Sequence, residues 1–299
     1  MKYLSLFSGI GGFELGIQQA YVALSSTQRQ QQGRMAERVG SPNDEQESLA
    51  TQPTCIGFSE IDKYATAIYQ KHFPEHKPYG DITTLNTDTL PDFDLLVGGF
   101  PCQAFSIAGK RKGFDDTRGT LFFEIARILR AKQPRLFLLE NVKGLLSHDN
   151  GRTFATIIAT LDELGYDLQW QVLNSKNHGV PQNRERIFIV GHLRGTSRPQ
   201  VFPFGANERK DTRSIGEAIS NTLTSNYWKG NDRKSSSRTL VGDQTRIRRL
   251  TPTECERLQG FPDGWTEGVS DTQRYKCLGN AVTVNVIQAI MERLLAPNH

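Results

Sequence analysis

Tyr3-Leu4-Ser5-Leu6-Phe7-Ser8-Gly9-Ile10-Gly11-Gly12-Phe13 is the stretch on which the fold turns. Residues 3–7 are too short an apolar run for a secretory signal, with Gly and Glu close behind, and they read as a β-strand. Gly9, Gly11 and Gly12 make a tight turn, and a helix follows from about Phe13 to Leu24. A strand, a glycine turn and a helix open a doubly wound sheet, in which ligands bind where strands end at their carboxyl edges.

The same alternation continues outward from that unit. A short strand near Cys55–Ser59 precedes a helix over Lys63–Phe73, and Phe93–Val97 is an apolar strand closed by Gly98-Gly99. Leu121, Phe122, Ile125, Ile128 and Leu129 mark one helical face, and Arg135–Asn141 is another buried strand. Phe154, Ile157, Ile158, Leu161 and Leu164 repeat the helical spacing up to Gly165. Strands near Trp170–Leu173 and Arg186–Val190 follow. Strand and helix thus alternate for almost 200 residues, which predicts a mostly parallel sheet with helices on both faces. Periodicity weakens beyond Leu193 and returns at Thr251-Pro252-Thr253-Glu254, a capping box with Pro at the first helical position. A last helix is predicted from about Val282 to Leu295.

Residues 25–53 break the pattern. Gln, Ser, Glu and Arg dominate, no aromatic residue occurs, and too little apolar surface is available to offset ordering entropy. The segment reads as a flexible insertion.

The chemistry-bearing residues gather at the predicted strand ends. Alone, the Phe7–Gly12 turn is weak evidence, because Gly-rich strand–helix turns are common and more often structural. Glu60 ends the next strand, where a carboxylate can accept from both hydroxyls of a ribose. It lies 48 residues from Gly12, and removing the 29-residue insertion leaves 19, close to the usual βαβ spacing of about 20. Asp81, in Gly80-Asp81-Ile82, is expected to end a third strand and face an adenine amino group. Gly98-Gly99-Phe100-Pro101-Cys102-Gln103-Ala104-Phe105-Ser106 places a cysteine just after a strand, where a nucleophile belongs. Cys55, Cys255 and Cys277 fit better as small buried hydrophobes. Glu140, in Leu138-Leu139-Glu140-Asn141-Val142, is costly to bury without a partner or a task. In Gln182-Asn183-Arg184-Glu185-Arg186, alternation puts Arg184 and Arg186 on one face; by themselves these charges could simply be an ion-paired strand end.

Taken in order, Phe7–Gly12, Pro101-Cys102-Gln103, Glu140-Asn141-Val142, Gln182-x-Arg184-x-Arg186 and Gly279-Asn280-Ala281-Val282 resemble the sequential motifs of DNA cytosine-5 methyltransferases of the bacterial and phage type. The resemblance covers nearly the whole chain except 25–53 and much of 194–247. It implies a Rossmann-like S-adenosylmethionine-dependent methyltransferase fold, α/β with a doubly wound, mostly parallel sheet, acting on double-stranded DNA. Cys102 would attack carbon 6 of a flipped-out cytosine as thiolate. Glu140 would hydrogen-bond ring nitrogen 3 and the exocyclic amino group, and Arg184 and Arg186 would hold the base and the loop around Cys102. Phe7, Gly9, Gly11, Gly12, Glu60, Ile61, Asp81, Ile82, Pro101, Leu121, Asn280, Ala281 and Val282 correspond to cofactor-contacting positions. Gln103, Ser106, Lys110, Arg111, Lys112 and Arg118 fall on a mobile loop that closes over DNA, and Arg248 and Arg249 are plausible phosphate contacts.

The resemblance divides the chain into a catalytic and cofactor-binding domain (1–193), a target-recognition region (194–247) and a C-terminal segment that packs back on the catalytic domain (248–299). The family normally houses a sizeable recognition domain in the middle section, so a minimal lobe with short or relaxed sequence specificity is expected. Part of it, Thr222–Gly230, looks like a stretch common to the family, and Tyr227 and Trp228 there are expected to build the lobe's own core. Two other readings compete: a tRNA cytosine-5 methyltransferase, and a catalytically silent DNA-binding relative. Against the second, every expected catalytic residue type is present.

Composition agrees with this frame. Hydrophobic residues make up 37% and charged residues 23%, as in an ordinary globular protein. No apolar run approaches the roughly 18 residues of a membrane span. The cysteines form neither a zinc pattern nor a disulfide framework, which predicts a metal-free protein in a reducing bacterial or phage-infected cytoplasm. Residues 194–249 carry 12 Lys/Arg against 5 Asp/Glu, and the remainder 24 against 27. One basic segment on a near-neutral body suits a polyanionic partner, although a solvated basic loop would show the same charge. A monomer is the default, and a cognate restriction endonuclease would act separately.

Overall fold

The computed structural model describes residues 1–39, 52–101, 121–197, 199–205, 220–221, 223, 240–242 and 247–296. Six strands form the central sheet: β1 (Lys2–Leu6), β2 (Thr54–Ser59), β3 (Leu95–Gly99), β4 (Leu136–Val142), β5 (Tyr166–Asn174) and β7 (Glu185–Leu193). Their order is β2-β1-β3-β4-β7-β5. The pairs β1–β2, β1–β3 and β3–β4 are parallel, while β7 runs antiparallel to both β4 and β5. The predicted parallel sheet is therefore confirmed for its first four strands. The last two form an antiparallel pair because a short 3₁₀ turn at Ser175–Asn177 and the two-residue strand β6 (Gln182–Asn183) connect them. A parallel return would need a crossover of a dozen or more residues.

Period-two alternation sorts the strand residues into two layers. Leu4 and Leu6 of β1, Leu96 of β3, Phe137 and Leu139 of β4, and Ile187 and Ile189 of β7 pack under α3 (Leu121–Lys132) and α4 (Arg152–Glu163). Tyr3, Leu95, Val97, Leu136, Leu138, Phe188 and Val190 face α1 (Gly12–Val39) and α7 (Val284–Leu295). A third cluster joins α2 (Lys63–His72), α5 (Pro252–Gln259) and α6 (Asp271–Asn280) beside the carboxyl edge of β1 and β2. The predicted capping box is present, with Thr251 and Glu254 exchanging side-chain and backbone bonds.

Two expectations need correction. Helix α1 does not end near Leu24 but runs to Val39, so the compositional insertion begins as helix. Among its described side chains, the buried apolar ones are Phe13, Ile17 and Ala20. Gln, Arg, Met, Ala and Glu carry the helix further on propensity, without an apolar face that periodicity could detect. Residues 40–51 lie outside the described residues. Secondly, Asp81 does not end a strand. The segment before it meets β2 through one bridge, Phe58–Pro78, and Asp81 caps a short 3₁₀ turn, Ile82–Thr84.

Of the recognition region, two short strands and the first residue of a third are described. These are β8 (Ser220–Asn221), which pairs in parallel with β6, and β9 (Leu240–Gly242), which pairs antiparallel with β10 (Ile247–Arg249). Tyr227 and Trp228 lie outside the described residues, as do most of 206–239.

Candidate active site

The turn after β1 folds through the left-handed region at Phe7, Gly9 and Gly11 (φ 53°, 55° and 90°). Space as well as conformation demands glycine here: a Cβ on Gly11 would lie 2.5 Å from the Phe73 ring, and one on Gly12 would lie 2.7 Å from Val282. Side chains distant in sequence hold the turn. Glu60 Oε2 accepts from Gly9 N at 2.9 Å, and Trp265 Nε1 donates to Ile10 O at 2.9 Å. The other Glu60 oxygen accepts from Ile61 N and Asp62 N, both at 2.8 Å. Three backbone donors therefore fix the carboxylate at the strand end, and lone-pair capacity remains for an added hydroxyl. Beside it, the Ile61 side chain is 73% exposed, an apolar surface offered to a ligand.

The strand ends surround a cleft of about 440 Å³, within the roughly 300–1,000 Å³ usual for small-molecule sites. Phe7, Gly9, Glu60, Ile61, Asp81, Ile82, Pro101, Leu121, Glu140, Arg184, Arg186 and Asn280 all line it. Ala281 and Val282 do not reach its wall. Both are buried, and Val282 packs instead against Gly12 and Gly99. Asp81 spends one carboxylate oxygen on Thr83 N and Oγ1, each at 2.9 Å.

Glu140 follows Leu136 and Leu138 on the face of β4 toward α1 and α7, and the antiparallel register of β7 sets Arg186 beside the end of that strand. Arg186 Nε lies 3.1 Å from Glu140 Oε1, both side chains largely buried. Burial pushes the Glu140 carboxyl above its ordinary range, and the guanidinium groups of Arg186 and Arg184 offset part of that rise. The result is a carboxyl that takes up a proton more readily than an exposed one, aimed into a cleft and oriented by a cation.

Arg184 is placed differently from its neighbour. Its Nη atoms donate to three backbone carbonyls, those of Leu223, Gly279 and Ala281, at 2.8–3.3 Å. Burial lowers its pKa to about 9, with Arg186 adding to the fall and Glu140 opposing it. It therefore brackets the C-terminal loop that carries Asn280, and it touches the cleft only with what remains of its surface. Asn141 belongs to the Glu140-Asn141-Val142 motif, and its sequence context alone assigns it no task. Its Nδ2 donates to Phe100 O at 2.9 Å and so ties the strand end bearing Glu140 to the segment leading to Pro101. A buried amide directly after a buried acid was the available signal.

Cys102, Gln103, Ser106, Lys110, Arg111, Lys112 and Arg118 lie outside the described residues. The other three thiols are buried or half-buried and unpaired, and burial pushes each up to about 12. They are inert neutral hydrophobes, as their sequence contexts suggested. Arg248 and Arg249 sit apart from the cleft on β10. Arg248 forms a two-point pair with Glu254 at 2.7 and 2.8 Å, and Arg249 lies over the Tyr275 ring at 5.8 Å. Among the described residues no group of His, Cys, Asp and Glu could hold a metal ion, and no helix is long and apolar enough to cross a membrane.

The profile of the family described as C-5 cytosine-specific DNA methylase matches residues 1–243 and 207–296 of this chain. The chain belongs to that family. As a C-5 cytosine-specific DNA methylase it transfers a methyl group from S-adenosylmethionine to carbon 5 of cytosine in DNA. The cleft suits that donor: a glycine turn for close backbone approach, a fixed acid at the second strand end, and an exposed apolar side chain beside it. The chain is 40% identical over 333 residues to the type II methyltransferase M1.ScrFI of Lactococcus lactis subsp. cremoris, covering 98% of this chain and 78% of the relative. It is 38% identical to M.NlaX of Neisseria lactamica (99% and 96%) and 35% identical to M.HhaI of Haemophilus parahaemolyticus (97% and 93%). In solved structures the fold recurs in a Spodoptera frugiperda DNMT2 mutant, with TM-score 0.71, 20% identity and 99% of both chains covered. It recurs again in a putative DNA modification methyltransferase from an E. coli prophage (TM-score 0.62, 19% identity, 98% of both chains).

Proposed function

We propose that this methylase acts on duplex DNA by covalent catalysis through Cys102, with the target cytosine swung out of the stack into the cleft. The observation that carries the reading is the Glu140–Arg186 pair at 3.1 Å, buried at the cleft wall and tied through Asn141 to the segment that ends at Pro101. Carbon 5 of a neutral cytosine is too weak a nucleophile to take a methyl group unaided. Addition of the Cys102 thiolate to carbon 6 splits that step into easier ones. As the C–S bond forms, electron density moves toward ring nitrogen 3, where a protonated Glu140 donates a hydrogen bond or its proton. Arg186 holds the Glu140 carboxyl in the orientation this requires. Carbon 5 is then electron-rich enough to attack. Bound S-adenosylmethionine supplies the electrophilic methyl group. Removal of the carbon-5 proton by a base expels Cys102 and restores the aromatic ring. Unstacking the base costs a few kcal/mol.

Glu60, beside the exposed Ile61, receives the ribose hydroxyls, and Asp81 presents its remaining oxygen to the adenine amino group. Phe7, Gly9, Leu121 and Asn280 complete the cofactor walls. The loop with Gln103, Ser106, Lys110, Arg111, Lys112 and Arg118 contacts DNA, joined by Arg248 and Arg249 at the phosphates. Residues 194–247 form a short recognition lobe between the catalytic domain (1–193) and the C-terminal segment (248–299). The alignment with M1.ScrFI spans 333 positions against the 299 residues here, leaving at least 34 positions of the relative unmatched. The two stretches matched by the family profile overlap at 207–243, inside that lobe. A lobe so reduced reads a short or relaxed site. The protein works as a monomeric modification enzyme in the bacterial cytoplasm, and any partner endonuclease acts separately.

Expression in a host free of cytosine methylation, followed by bisulfite sequencing with Cys102→Ala as control, tests the whole reading. Protected cytosines in the wild type alone are expected, within a short or degenerate consensus. Protection that survives in the variant would remove Cys102 as nucleophile, and a cleanly read site of six or more base pairs would refute the relaxed lobe.

A further inference from the structure

Two side chains of the Gln182-x-Arg184-x-Arg186 segment hold the backbone of one residue of the recognition region, Leu223, at both its N–H and its C=O. Gln182 Oε1 accepts from Leu223 N at 3.0 Å, and Arg184 Nη1 donates to Leu223 O at 2.8 Å. Both gripping side chains are buried, as is the Leu223 side chain. The other ends of the same two groups are anchored in the catalytic body. Gln182 Nε2 donates to Leu258 O at 2.8 Å, at the end of the helix that follows the lobe. Arg184 holds Gly279 O and Ala281 O in the C-terminal loop. Backbone pairing of Gln182 with Ser220 and of Asn183 with Asn221 extends the same seam.

We propose that Gln182 is a positioning residue for target recognition: its amide, with the Arg184 guanidinium, fixes the register at which the recognition lobe joins the cleft. The proposal rests on the assignment of residues 194–247 to that lobe. A clamp made to backbone groups is blind to the lobe's side chains. It sets where those side chains stand relative to the flipped base without itself reading any base. A small displacement at Leu223 is carried to the groove contacts, where misplacement by an ångström is costly. Every polar atom of the Gln182 amide is used, so loss of the amide also leaves Leu223 N and Leu258 O buried without their partner.

The test substitutes Gln182→Met, which keeps the length and volume of the side chain and removes its hydrogen bonds to Leu223 N, Leu258 O and Gln259 Oε1. The measured quantity is the ratio of kcat/KM on a preferred duplex to that on a duplex changed at one recognised base pair. A loss of folded enzyme lowers both values equally and leaves the ratio alone. The ratio is expected to fall by about tenfold, while affinity for S-adenosylhomocysteine stays within about twofold of wild type. An unchanged ratio overturns the inference. A wild type that methylates every cytosine alike removes the recognition reading and this inference together, so the two failures are distinguishable. Should the variant not fold, hydrogen exchange on the wild-type chain decides: the Leu223 amide is expected to be protected like the strands of the central sheet, and rapid exchange there overturns the clamp.

Discussion

Glu14 shows how a single side chain shapes the response of this fold to pH. It is fully buried in the first turn of α1. Tyr69 Oη donates to Glu14 Oε1 at 3.0 Å and meets His76 Nδ1 at 2.9 Å. The other carboxyl oxygen has no hydrogen-bond partner among the described residues. Burial raises its pKa from 4.5 to about 7. The folded protein therefore keeps a proton that the unfolded chain has already released. Stability falls as pH rises from about 4.5 through 7 and levels off above that, by up to about 3 kcal/mol. Glu14→Gln keeps an acceptor for Tyr69 and removes the titration. The stability gain of the variant over wild type, read from urea midpoints, is expected to be larger at pH 8 than at pH 5. A gain of equal size at both would show that Glu14 is not protonated in the fold. At the catalytic site, Glu140→Gln is expected to lower turnover by about 10²-fold or more and to leave S-adenosylhomocysteine affinity near wild type, as measured by calorimetry.

Among the secondary-structure elements, what the sequence made legible follows from what periodicity can detect. Strands with apolar residues on both faces, such as β3 and β4, stand out because both layers are covered. Helices α3, α4 and α7 stand out because one face is apolar. The outer length of α1 was read as an insertion because propensity alone builds it. Helix α6, with Tyr275, Cys277 and Leu278 buried among polar neighbours, was missed for want of an apolar stripe. The acid at Glu60 and the pair formed by Glu140 and Arg186 were readable as strand-end residues. The bracket role of Arg184 was not, because its partners are backbone carbonyls up to 97 residues away, and nothing in their sequence marks them. The buried side chains of α1 end at Ala20 among those described, which also sets what can be removed. Replacing residues 27–51 by a short Gly/Ser linker is expected to weaken the helical circular-dichroism signal and shift the Tm by no more than a few degrees, since lengthening or shortening such a connection costs little. A large fall in Tm would show that the polar helix bears on the core.

On the scale of the whole molecule, the first helix and the last are partners. Ile17 of α1 and Ile287, Ile290 and Met291 of α7 belong to one apolar layer, and a Cβ on Gly16 would lie 2.7 Å from Ile287. The cofactor turn meets the same late segment through Val282 against Gly12 and through Trp265 on Ile10. The layer over Tyr3, Leu95, Val97, Leu136 and Leu138 is thus closed by residues beyond position 282. A chain ending at Ala281 is expected to expose that layer, to lose cooperative thermal unfolding and to fail to bind S-adenosylhomocysteine. Retention of a sharp melt would show that the first four strands are self-sufficient.

That closure also bears on the order in which the fold can be completed during synthesis. Domains emerge from the ribosome amino end first, and Cys102, Glu140, Arg184 and Arg186 are all made before the helix Val284–Leu295 that covers the first strands. A nascent chain that stops short of that helix still lacks the apolar wall against which Tyr3, Leu95, Val97, Leu136 and Leu138 pack. A product truncated before Val284 is therefore expected to leave DNA unmethylated, although it carries Cys102, Glu140, Arg184 and Arg186.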